Sequence, residues 1–182
     1  LLPFDASKPN NTVFLDLFKN IINGHSFENA DSQVLAVFDG AIKSCDFMYT
    51  IENKPNIFVI TVTTENKFFG VLLTQPMVGV GQKVFDKDML VFSYDPDSDG
   101  EKIKSFGVRE DEKQQRSAFY RVFAESPSGV LCVGSETGRL WIGSQQQNSF
   151  CENLSSMFEG LDDRCLTGHT GWQEHEFHHC TK

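Results

Sequence analysis

Two stretches of this 182-residue chain carry side chains whose type and spacing suit chemistry. The first is Asp95-Pro96-Asp97-Ser98-Asp99-Gly100. Carboxylates at positions 1, 3 and 5 of a loop, with glycine at position 6 for the sharp turn, are what a calcium ion takes. Asp95, Asp97 and Asp99 are therefore candidate calcium ligands. The second half of the loop departs from that pattern. Position 8 is Lys102, where an aliphatic residue is expected, and position 12 is Phe106, where a bidentate Glu is needed. Without calcium, the same residues make an Asp/Gly turn of the kind that joins strands. The second stretch is His175-Glu176-Phe177-His178-His179-Cys180. Zinc takes three or four converging His and Cys ligands. His175 and His179 share a face whether the tail is helix or strand, and Cys151 or Cys165 would complete such a site. The spacing matches no zinc template, and the alternative is a solvated polar tail.

Other chemistries lack their signatures. There is no GxSxG and no P-loop, and Gly79-Val80-Gly81 lacks the third glycine of a dinucleotide loop. Catalytic residues are therefore expected to be absent. The five cysteines, Cys45, Cys132, Cys151, Cys165 and Cys180, contain no CxxC pair. An odd, sparse set without a leader sequence points to a reducing compartment and a cytoplasmic protein. Cys132 lies in an apolar run and reads as inert core. Cys151 and Cys165 lie in polar surroundings and are the better candidates for a redox-active thiol. Net charge is −9, from 16 basic and 25 acidic side chains. An acidic chain is repelled by phosphate backbones, which disfavours nucleic acid as a partner and a gene-regulatory role. No apolar run approaches the roughly 20 residues of a membrane span. The first residue is Leu1 rather than Met, as in a fragment.

These residues need elements to position them. Residues 57–73 read as a β-hairpin, two apolar runs around the polar link Thr64 to Lys67. Residues 57–62 are nearly all apolar, as in a strand covered on both faces and set in the middle of a sheet. Further strands are expected at 34–38, 89–94, 103–108, 117–124, 130–133 and 139–142, separated by Gly, Pro and Asp turns. Val13, Phe14, Leu17, Phe18, Ile21 and Ile22 fall on one face of an amphipathic helix. Ile42, Cys45, Met48 and Tyr49 are spaced as a second, short helix, and residues 154–158 as a helical turn. Surface loops are expected at 75–88, 109–116 and 144–148. Seventeen Phe residues imply a core packed largely with aromatic rings. The expectation is a mainly β (α+β) domain over residues 31–182, with an N-terminal extension over 1–30 that carries the first helix.

From about Ser32 onward, the order of features resembles the TLDc domain family. The resemblance rests on Val34-Leu35-Ala36-Val37-Phe38-Asp39-Gly40, on the hairpin closing at Lys67-Phe68-Phe69-Gly70, and on Leu90-Val91-Phe92-Ser93-Tyr94. Gly138-Arg139-Leu140-Trp141-Ile142, Phe150-Cys151-Glu152-Asn153 and Leu166-Thr167-Gly168 follow in family order. The family's doubled glycine is here spread as Gly134 and Gly138, and its closing strand pattern is missing before Lys182. The resemblance implies a two-sheet antiparallel β-sandwich flanked by helices. It also implies a non-catalytic intracellular domain that binds a protein partner, linked to oxidative-stress resistance and to the vacuolar proton pump. The alternatives on the residues alone are a calcium- or zinc-responsive regulatory protein and, second, a stress protein that works through its own thiols or a gene-regulatory factor, the last disfavoured by the net charge.

Overall fold

The computed structural model describes residues 19, 21, 35, 44–62, 67–79, 81–95, 97–100, 102–112, 118–121, 129–134, 138–143, 149–162 and 166. Among the described residues, helix α1 (Ser44–Ile51) precedes nine strands. These are β1 (Ile57–Val62), β2 (Phe68–Leu73), β3 (Val84–Phe85), β4 (Leu90–Tyr94), β5 (Ile103–Gly107), β6 (Ala118–Arg121), β7 (Gly129–Gly134), β8 (Arg139–Gly143) and β9 (Phe150–Glu152). A 3-10 turn, Leu154–Ser156, follows β9. The strands form two antiparallel sheets, ordered β1-β2-β4-β5 and β3-β6-β7-β8-β9. The mainly β expectation holds. Of the flanking helices, the described residues contain α1 together with Lys19 and Ile21, both in helical conformation.

The apolar runs become strands because β-branched and aromatic side chains suit a pleated, packed surface. Strand β2 is the most enclosed, with all six residues buried. Its side chains alternate between two separate clusters. Phe69, Val71 and Leu73 join Val91, Phe106, Phe119, Leu131, Val133, Leu140 and Ile142, so residues of both sheets share one core. Leu72 points the other way and packs with Leu90, Phe92 and Ile21. Each such Leu, Ile or Phe, fully buried, contributes about 1.5–3 kcal/mol. Ile21, one of the residues on the expected apolar helix face, is 3% exposed and packs on this side of the first sheet.

Strand β1 is a correction to the sequence reading. Among the described residues it pairs only with β2, so it lies at the edge of its sheet rather than in the middle. Its burial is uneven, and Ile60 is 37% exposed. The strand with cover on both faces is β2, which lies between β1 and β4. Helix α1 also buries a different stripe from the one expected. Phe47, Met48 and Ile51 are buried, whereas Tyr49 is 82% exposed. The i, i+1, i+4 spacing of the buried trio sets the docked face, and Tyr49 falls outside it. Of the strand expected at 34–38 only Leu35 is described, and it lies outside any strand. Residues 75–88 are more than a surface loop, since Met77 and Asp86 are each 1% exposed.

Gly70 occupies a spot no side chain would fit. A Cβ there would stand 2.0 Å from the Val59 carbonyl oxygen and 2.7 Å from Cζ of Phe92. Phe92 is the register partner of Gly70 across β2 and β4, and its ring fills the space above the glycine. Phe58 lies beside that ring, centroids 6.0 Å apart. Gly70→Ala is expected to lower stability by about 1–3 kcal/mol through overpacking. Gly107→Ala, where a Cβ meets nothing within 4 Å, is expected to be close to neutral. Melting both variants beside the parent chain checks the contrast.

Candidate functional site

The acidic turn joins β4 to β5 as a hairpin connection. The Asp95 amide donates to the Lys102 carbonyl at 2.9 Å, and the Ser98 amide donates to the Asp95 carbonyl at 3.3 Å. Asp95 then caps its own turn, with Oδ1 accepting the Asp97 amide at 3.0 Å. Its other oxygen, Oδ2, lies 3.1 Å from Nζ of Lys67, just before β2. The Lys67 ammonium is the main cause that holds the Asp95 carboxyl below the usual carboxylate range. Both of its oxygens are thus engaged inside the protein. Among the described residues no three His, Cys, Asp or Glu side chains are grouped as a metal site, Asp95, Asp97 and Asp99 included.

A second carboxylate escaped the sequence reading. Asp86 follows β3 and is almost fully buried. Its Oδ2 accepts the Thr74 amide at 2.6 Å and the Gln75 amide at 3.2 Å. Its Oδ1 accepts the Thr74 hydroxyl at 2.6 Å and the Asp88 amide at 3.2 Å. Four donors on two oxygens satisfy a buried charge that would otherwise be costly. The one signal in the sequence was the Asp86-Lys87-Asp88 spacing, since Asp bonds readily to the amide two residues on.

On the second sheet, Arg139 forms an ion pair with Glu152 across β8 and β9, 3.3 Å apart. The Arg139 guanidinium also lies 5.4 Å from the centre of the Phe150 ring, which stacks on Trp141. This is a cation–π and stacking arrangement that ties β9 to β8. The expected loop at 109–116 is described as far as Glu112. Arg109 pairs with Asp111 at 3.2 Å, and that carboxylate raises the Arg109 pKa. The Arg109 amide donates to the Met157 carbonyl, tying the end of β5 to the turn after β9.

The thiols divide differently from expectation. Cys132 is buried, as read. Cys151 is also buried, at 0% exposure, because its side chain points into the shared core beside Leu140. Its polar sequence neighbours belong to the other face of β9 or to the turn beyond. Cys45 is half-buried on α1, its thiol 3.8 Å from Asp46 Oδ1. Cys165, Cys180 and the histidine tail, with His175, His178 and His179, lie outside the described residues, as do residues 113–116 and 144–148. Comparisons of the chain with protein-family models, with curated proteins and with solved structures found no match. Among the described residues no helix is long and apolar enough to cross a membrane.

The Lys67–Asp95 pair sets a pH dependence whose sign follows from the lowered carboxyl pKa. Its stabilisation is full above the unfolded Asp value of about 3.9 and is lost as pH falls through the lower folded value. Both side chains are more than a third exposed, so solvent screening keeps the contribution below about 1 kcal/mol. Lys67→Met is expected to melt slightly below the parent at neutral pH. The gap should close in acid and shrink in high salt, as thermal scans across pH and ionic strength would show.

Proposed function

We propose that this chain is a non-catalytic interaction domain of TLDc type, with its two sheets facing each other as a sandwich and its loops presented to a protein partner. The observation that carries the reading is the coincidence of motif order with strand order. Phe68-Phe69-Gly70 opens β2, Leu90 to Tyr94 is the whole of β4, Arg139 to Ile142 lies in β8, and Phe150 to Glu152 is β9. The packing gives one of these motifs a physical basis, since Gly70 admits the ring of Phe92 and the Val59 carbonyl. Among the described residues, the polar clusters found are used in structural bonds: Asp86 in backbone capping, Asp95 with Lys67, and Arg139 with Glu152.

The partner class that the family resemblance brings is a vacuolar proton pump, in an intracellular setting linked to oxidative-stress resistance. The expected outcome is that the purified chain co-sediments with isolated pump and changes its ATP hydrolysis, while showing no turnover of its own in hydrolase and oxidoreductase panels. Turnover abolished by one loop substitution would overturn the non-catalytic reading. Failure to bind the pump at micromolar concentration would remove that partner.

A further inference from the structure

We infer that residues 74–88 form a strap that opens as one unit, separately from global unfolding, with Asp86 as its latch. The strap leaves the first sheet at the end of β2, supplies β3 to the edge of the second sheet, and returns to the first sheet at β4. Its attachment is sparse. Among its described residues only Met77 and Asp86 are buried, and Val84 is half-buried against the core. Strand β3 contributes only two register pairs, Val84 with Phe119 and Phe85 with Ala118, and Phe85 is 63% exposed. Met77 is held by a parallel bridge to Glu52 and by the Asn53 amide, which donates to its carbonyl at 3.1 Å. A further hold is Asp86, which ties the first residues of the strap, Thr74 and Gln75, to its last, Asp88.

Segments with few buried apolar contacts open at lower free energy than the strands around them. Here the flanking strands are the opposite case, since β2 is wholly buried and Leu90 to Ser93 of β4 are buried. A loop whose two ends are closed by one carboxylate, with half of its other described residues exposed and most of the rest half-buried, has the build of a compact surface loop with its own cooperative hold. Releasing it withdraws β3 from β6 and leaves an unpaired strand edge at Ala118 and Phe119. The strap therefore guards the edge of the second sheet, and Asp86 sets how often that edge is uncovered. This holds whether or not the chain binds a partner.

The experiment is native-state hydrogen exchange on the full chain, followed residue by residue in low denaturant. The amides of Thr74, Gln75 and Asp88 are direct reporters, because each donates to Asp86. In the parent they are expected to exchange through an opening more frequent than that of the β2 and β4 amides. Asp86→Asn replaces acceptor capacity with an amide donor facing other donors. It should speed the strap amides at least about tenfold with a much smaller change in β2 and β4. Thr74→Val removes only the hydroxyl bond and should give the same pattern, more weakly, should Asp86→Asn fail to fold. Exchange of strap and β2 amides in step in the parent would overturn the inference. So would unchanged strap exchange in a folded variant.

Discussion

Strand β2 has water on neither face, and the rest of the described structure follows from enclosing it. A six-residue strand with no exposed side needs cover above and below. One cover is the shared core that draws in the second sheet and helix α1. The other is the cluster of Leu72, Leu90 and Phe92 under Ile21. Between them, Gly70 gives up its side chain so that Phe92 can lie across the sheet. A larger residue there would push apart β1 and β4 at once, because both contact the same spot.

Enclosure on this scale leaves little of the central sheet to do anything but support. Its apolar side chains serve packing, and its polar groups serve turns. Asp95 and Asp86 illustrate this. Both are acidic residues next to strands, and both are occupied by local donors. Asp95 fixes the β4–β5 hairpin to the entry of β2. Asp86 fixes the path between the two sheets. Neither arrangement needs a ligand to explain its geometry.

Much of the fold was legible in the sequence. The strands at 57–62, 68–73, 90–94, 103–107 and 139–143 are runs rich in apolar and aromatic residues bounded by turn residues, and such runs carry their own signal. Strand order within a sheet does not. The run at 57–62 looks central by composition yet lies at an edge among the described residues, since an apolar run reports burial and not the number of hydrogen-bonded neighbours. Strand β3 was missed because two residues are too few for any period to appear. Cys151 was misjudged because its sequence neighbours are polar, whereas alternation along β9 sends its side chain to the core. Asp86 left only the Asp88 spacing as a trace, for a related reason. Its donors Thr74 and Gln75 lie a dozen residues earlier, and no local pattern joins them.

The outer face of the first sheet is a second buried cluster, capped through Ile21. The most direct test is the thermal melting of Ile21→Ala in the full chain, with binding of a dye specific for exposed apolar surface read in parallel. The expected result is a loss of about 2–5 kcal/mol, as for a large-to-small change at a fully buried site, with increased dye binding. A melting curve and dye signal unchanged from the parent would contradict it, because they would mean that the Leu72, Leu90 and Phe92 face does not depend on that cover.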